Sequence, residues 1–171
     1  MKDKQVEDFI RRLQPSAPVD IVAIANVLGL KVYESQELPQ GIAGKIFIDK
    51  KHGGESGYTI LVRGADNFAR KRFTIAHEVA HYLLHKHLFR GGELVDDALY
   101  RSNLSTHVEI QANGLAADLL MPWHLLAPRA HEGVSELARL FQVSEQAMRI
   151  RLDSANLSMA AGSSEPIRAA G

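Results

Sequence analysis

Phe73 to His87 reads FTIAHEVAHYLLHKH. Phe73, His77, Ala80, His81 and Leu84 recur at helical spacing, so two imidazoles interrupt an otherwise apolar stripe that has to be buried. Buried polar groups need partners, and any fold containing this helix must bring hydrogen-bonding groups or an ion to His77 and His81. Side chains four apart share a helix face about 6 Å apart in rise, which lets two imidazoles converge on one ion. His77, Glu78 and His81 also form an H-E-x-x-H match, in which the glutamate stands where a general base is wanted. His81 and His85 have the same spacing, but Tyr82 follows His81 where that acid would be. His85 lies about 12 Å along the axis from His77, too far to share an ion that bonds nitrogen at about 2.0–2.1 Å. His87 falls at the third ligand position of the longer H-E-x-x-H-x-x-G-x-x-H pattern, where a glycine lets the chain leave the helix. Leu84 occupies that glycine position and favours continued helix, so His87 reads as a solvated histidine at the helix end.

Composition narrows what the ion can be and where the chain works. There is no cysteine, so no thiolate site or disulfide framework is available and a transition metal must use His and carboxylate. Twenty basic and twenty acidic side chains cancel, leaving no bulk field to draw the chain onto nucleic acid or an anionic membrane. The opening MKDKQVEDFI is too polar for a secretory signal, and no apolar run approaches the roughly 20 residues of a membrane span. A cytoplasmic protein without membrane contact is the expectation. With 171 residues the chain can build one main domain with a proper core.

Along the chain, Lys4 to Leu13 has helical spacing and stops before Pro15. Asp20 is placed to cap a second helix through Leu28, with Gly29 as terminator. Leu30 to Tyr33 reads as a strand. Ile42 to Ile48 and Tyr58 to Val62 read as a hairpin around DKKHGGESG. A helix is expected from about Asp66 to about His87, a polar segment from Arg90 to Ser105, and a second long helix from Thr106 to Met121, ended by Pro122. Shorter helices are predicted at about Trp123 to Arg129, Val134 to Phe141 and Glu145 to Leu152. The tail from Ser158 lacks periodicity and reads as disordered. The expected organisation is a metal-binding domain over 1–131, a helical segment over 132–157 and a tail over 158–171.

A catalytic zinc site takes three protein ligands and keeps one position open. In THVEIQANGLAADLLMP, Val108, Ala112, Leu115 and Leu119 form the main apolar row, with Glu109, Asn113, Ala116 and Leu120 beside it. Glu109 is therefore favoured as the third ligand, and Asn113 one turn later is placed to orient a ligand imidazole by a hydrogen bond. Two alternatives stand beside this. Thr106 and Glu109 also match a capping box, and Glu93, Asp96 and Asp97 are competing acids. Asn113 has a plainer role open to it, as a core amide bonded to backbone.

HEVAHYLLH followed by VEIQANGLAADLLMP resembles the ImmA/IrrE family of zinc metallopeptidases, whose pattern pairs H-E-x-x-H with a later E-x-x-A-N/D-x-F-A-x-x-L-L-M-P. The similarity extends from about Pro18 to Leu157. It implies an α+β, zincin-like fold of the gluzincin type, with a small antiparallel sheet packed on helices. It also implies Zn2+ held by His77, His81 and Glu109, with Glu78 as the catalytic acid/base in metal-assisted peptide hydrolysis. Leu115 stands where the family usually has Phe. Members typically cleave a helix-turn-helix repressor to switch on phage, mobile-element or stress-response genes, and some carry a C-terminal sensor domain for which this chain ends too soon.

Several residues remain open. His107, Tyr82, Tyr100 and Arg101 are candidates to stabilise the oxyanion, and the strand from Tyr58 to Arg63 is a candidate edge for an extended substrate. Ser135 to Leu152, SELARLFQVSEQAMRIRL, resembles a helix-turn-helix core and raises DNA- or repressor-binding without proteolysis as the alternative function. Against it, Gln142 stands where Gly is common in the turn, and Arg139, Arg149 and Arg151 are offset by Glu136, Glu145 and Asp153. Completing the peptidase domain or docking its substrate is the favoured role. The Arg70 to Arg72 run reads as a solvated helix face.

Overall fold

Asp20 starts the first well-capped helix. Its side chain accepts the Ala23 amide at 2.9 Å, and α1 (Ile21–Val27) follows. Gly29 ends it at φ 76°, a left-handed conformation that costs a residue without Cβ nothing, and the Leu30 amide reaches back to the Ala25 carbonyl at 2.9 Å. The chain then enters β1 (Lys31–Ser35), β2 (Gly44–Ile48) and β3 (Tyr58–Arg63). The computed structural model describes residues 8–90, 93–94 and 104–162, with helix over 8–12 ahead of α1.

Two short strands, β4 (Phe89–Arg90) and β5 (Glu93–Leu94), complete a sheet of order β1-β3-β2-β5-β4. The expectation of an antiparallel sheet holds for β2 against β3 and for β5 against β2 and β4, but β1 runs parallel to β3. The cause is the connection. The chain reverses once between β1 and β2 and again in the hairpin, and β3 rather than β2 then takes the place beside β1. β3 is thus central, paired on both sides, and is not an edge for an extended substrate.

α2 (Phe68–His85) carries the H-E-x-x-H stretch, opened by Asn67, whose side chain accepts the Arg70 amide at 2.9 Å. It packs on β2 and β3 through Ile75, Ala76 and Val79 against Ile46, Ile60 and Val62. A 3-10 turn, Lys86–Leu88, follows. α3 (Leu104–Leu120) packs on α2 more extensively than any other described pair of helices. Both carry fully buried alanines one turn apart, Ala76 and Ala80 on one, Ala112 and Ala116 on the other. Such small side chains let helix axes approach closely. The anticipated stripe is rotated from its expected position. Leu84 is exposed and Phe73 only partly buried, while Thr74, Glu78, His81 and His85 are buried. Two covering layers, sheet and α3, bury more of α2 than a single apolar face.

α4 (Trp123–Leu126), α5 (Val134–Phe141) and α6 (Glu145–Gly162) follow. Gln142 joins the last two at φ 54°, and Ser144 caps α6 by accepting the Ala147 amide at 3.1 Å. α6 continues to Gly162, past the Ser158 at which disorder is expected, because SANLSMAA contains good helix formers and no proline. Residues 163–171 and 1–7 lie outside the described residues. No described helix is long and apolar enough to cross a membrane.

Arg72 departs from its reading as part of a solvated face. It is 8% exposed, and its guanidinium donates to the Val19 carbonyl at 2.8 Å, to Gln142 at 3.2 Å and to Phe141 at 3.5 Å. The carbonyls at the end of α5 have no partner within the helix, so this cation satisfies them while tying α2 to the α5–α6 turn. Arg70 and Lys71 do lie on the surface side, paired with Asp66 and Glu34. Arg151 repeats the device, donating to the Met121 carbonyl at 3.1 Å and to Asp118 at 2.5 Å, over the Trp123 ring. Replacing Arg72 with Met strands the two carbonyls at the end of α5. Urea unfolding is expected to show a loss of about 2–4 kcal/mol, with little dependence on salt because the partners are carbonyls.

Candidate metal centre

His77 and His81 project from consecutive turns of α2 toward Glu109 on α3. The His77 and His81 Nε2 atoms are 2.9 Å apart, and Glu109 places Oε2 3.2 Å from the first and Oε1 3.3 Å from the second. Among the described residues, these three form a group able to hold a metal ion, each offering one ligand atom within 4.8 Å of the others. Ligand atoms about 2.0–2.1 Å from a tetrahedral ion lie roughly 3.3 Å from one another. Each imidazole nitrogen already lies at about that separation from one of the two Glu109 oxygens, and the imidazole pair has to open by a few tenths of an ångström.

Charge agrees with this geometry. Burial pushes the His81 imidazole down to about 3, helped by the neighbouring His77 and His85. Burial also lowers His77, opposed by Glu109 and the Asn113 hydrogen bond. Both rings are thus neutral near pH 7, the form that can ligate a metal. His81 is almost fully enclosed, whereas the Glu109 side chain is 46% exposed, so the cluster has an enclosed wall and a solvent side. A catalytic rather than purely structural centre wants such an open side.

Asn113 Oδ1 lies 3.1 Å from His77 Nδ1, so the amide is in position to accept that proton and leave Nε2 for the ion. Glu78 is 8% exposed on the buried side of α2. Burial and the nearby Glu109 carboxylate push it up to about 8, while a hydrogen bond from the Ile46 amide of β2 acts against them. Gly44 makes that contact reachable. A Cβ there would fall 2.4 Å from the Thr74 methyl, one turn before Glu78, and 2.8 Å from the Leu61 carbonyl, so β2 lies directly against α2.

The capping-box alternative for Glu109 fails because α3 begins at Leu104, placing Thr106 within the helix. Of the competing acids, Glu93 belongs to β5, and Asp96 and Asp97 lie outside the described residues, as do Tyr100 and Arg101. His87 is exposed in the 3-10 turn, and His107 is exposed near the start of α3. Tyr82 accepts from Lys86 Nζ at 3.1 Å and packs edge-on against Tyr58. Sequence reasoning weighed His85 only as a ligand, whereas it is 3% exposed with its Nδ1 3.2 Å from His81 Nδ1, and it passed over Gln111, whose Oε1 is 3.1 Å from His85 Nε2. The four-residue step from His81 was a signal for His85. Nothing in the sequence pointed to Gln111 or to the Ile46 amide.

Two imidazoles from one helix and a carboxylate from the next make a nitrogen–oxygen donor set suited to a divalent ion, beside a buried glutamate, the arrangement of a metallopeptidase-like protein. The Peptidase_M78 family, described as the IrrE N-terminal-like domain, matches residues 25–153, and the chain belongs to this ImmA/IrrE family. No curated protein matches it in sequence. Among solved structures it is similar to a Mycobacterium tuberculosis transcriptional regulator, at 16% identity and a TM-score of 0.57. The likeness covers 85% of this chain but only 44% of that one, and at this identity it speaks for the fold alone.

Glu78 sets a pH test in the metal-free protein. Its ordinary value is 4.5 and its folded value about 8, so between these the folded state holds a proton that the unfolded state has released. Stability from this group is therefore complete below about 4.5 and is lost as pH rises toward 8. Chelator-treated Glu78→Gln is expected to gain on the parent across that window, by about 3 kcal/mol near pH 7. Urea unfolding of both proteins at pH 5 and pH 7.5 measures the difference, and a constant gap would refute it.

Proposed function

We propose that this chain is a zinc-dependent endopeptidase of zincin-like, gluzincin-type architecture, acting on a protein substrate. The observation that carries the reading is the convergence of His77, His81 and Glu109 beside the buried Glu78. His77 and His81 contribute neutral Nε2 donors and Glu109 a carboxylate, a set that suits zinc and excludes thiolate-dependent centres. When bound there, zinc supplies Lewis acidity toward a water and a peptide carbonyl.

The chain's own residues account for the rest of the hydrolysis. Asn113 orients His77 through Nδ1. Glu78 is the general base that takes a proton from the attacking water and, as general acid, returns it to the departing amine nitrogen. Its carboxyl is pushed up to about 8 in the metal-free protein, which supports its holding a proton near neutral pH, and a divalent cation nearby would favour its ionised form. The same carboxyl then serves in both directions.

The substrate proposed is a helix-turn-helix repressor, with its removal derepressing phage, mobile-element or stress-response genes. Membership in the ImmA/IrrE family and the transcriptional-regulator title of the similar structure support a regulatory setting. We assign residues 1–131 to the peptidase unit and residues 132–157 to a helical segment that completes it or docks the substrate. Arg72 and Arg151, which hold that segment to α2 and to the end of α3, support this division of labour.

The alternative, DNA- or repressor-binding without proteolysis, draws on α5, the left-handed Gln142 turn and α6. The arginines work against it. Arg151 is buried against Asp118 and Trp123, and Arg149 pairs with Glu145 at 3.5 Å, leaving little cation to meet phosphate.

Co-expression with the transcription regulator encoded nearest the gene separates the two. The parent is expected to remove the intact regulator, and Glu78→Gln to slow its cleavage by at least about 100-fold while still retaining zinc. Equal survival of the regulator with both proteins, together with salt-dependent binding of duplex DNA, would establish the alternative.

A further inference from the structure

We infer that His85 and Gln111 form a positioning relay that holds His81 in the one proton arrangement able to ligate a metal. The inference rests on the metal reading above and extends it to two residues that do not touch the ion. His81 turns Nε2 toward His77 and Glu109 and Nδ1 toward His85, at 3.2 Å. His85 therefore approaches the opposite side of the ring from the ligand cluster. Its other nitrogen, Nε2, is taken by Gln111 Oε1 at 3.1 Å, and the residue is 3% exposed.

Protons can run along this chain in two directions. If Gln111 accepts through Oε1, His85 carries its hydrogen on Nε2 and offers the Nδ1 lone pair. His81 must then donate from Nδ1, which leaves its Nε2 lone pair free for the metal. If the amide is turned to donate instead, His85 carries its hydrogen on Nδ1, His81 must accept there, and its own hydrogen falls on Nε2 where the ion would bind. Only the first direction is compatible with the cluster. Asn113 does the corresponding work for His77 in one step, since its Oδ1 meets Nδ1 directly. α3 thus supplies the third donor from Glu109 and an orienting amide for each imidazole, Asn113 directly and Gln111 through His85.

The relay makes a demand that ordinary packing does not. An acceptor must face His81 Nδ1, and an acceptor must face His85 Nε2. His85→Leu removes the first, whereas His85→Asn returns an amide oxygen near the place of Nδ1. Gln111→Leu removes the second, whereas Gln111→Glu accepts and cannot be turned to donate.

Zinc affinity by chelator competition, the cobalt-substituted absorption spectrum and long-range nitrogen–proton NMR of the imidazoles test this on the intact chain. His85→Leu is expected to weaken zinc binding by about 10–100-fold, and His85→Asn to recover most of the loss. Gln111→Leu is expected to mix the His81 tautomers in the metal-free protein and weaken zinc binding, and Gln111→Glu to match the parent. A purely structural role would lower the melting temperature of the metal-free variants and leave their zinc affinity and His81 tautomer as in the parent, which overturns the relay. Gln111 occupies an exposed helix position, so its two variants decide the matter if His85→Leu does not fold. A parent that binds neither zinc nor cobalt sinks the metal reading itself, and a parent that binds them alongside unaffected variants sinks the relay alone.

Discussion

The close contact of α2 with α3 is the constraint from which the site follows. Three Lewis-basic atoms meet there with two imidazole nitrogens 2.9 Å apart, an arrangement that neutral lone pairs alone would resist. Buried alanines on both helices bring the backbones near enough for side chains as short as His and Glu to meet. Substituting bulk at Ala76, Ala80, Ala112 or Ala116 would separate the donors before any ligand was altered. Backbone spacing and metal chemistry are in this sense one problem.

The sheet contributes from the other side of the same helix. β2 runs against α2 because position 44 has no side chain, and two residues later the Ile46 amide is at the Glu78 carboxylate. A buried carboxyl at this place would otherwise stay protonated more firmly still. The hairpin that presents β2 is itself anchored to the end of α1, where the Gly29 carbonyl accepts both the Ser56 amide and hydroxyl, at 3.1 and 2.8 Å. The path from the first helical cap to the Glu78 carboxylate is therefore short and made of backbone.

Much of this was readable in the amino-acid order. His77, Glu78 and His81 declared themselves through four-residue spacing, Glu109 and Asn113 through their row on the following helix, and Asp20 and Gly29 through the chemistry of helix ends. What escaped notice shares a physical cause. The parallel pairing of β1 depends on which strand of the hairpin turns inward, and both choices satisfy the same β-branched pattern. Arg72 sits in a run of three basic residues whose neighbours are exposed, and only the tertiary position of the α5 carbonyls makes it internal. His85 was weighed as a ligand and set aside on distance, yet distance from the candidate site does not bear on what it offers His81. Local rules reach as far as one helix; these residues act between elements.

Arg72 also bears on how little of this protein can stand alone. Its guanidinium is enclosed by Val19 from before α1 and by Phe141 and Gln142 from beyond α2 and α3. A fragment trimmed after Met121 would keep every residue of the cluster and still uncover a cation built into its interior, along with the apolar seats of Leu137, Phe141 and Met148. The smallest autonomous folding unit is consequently larger than the stretch that holds His77, His81 and Glu109, and shortening it from the C-terminal side would fail through insolubility well before it disturbed that cluster.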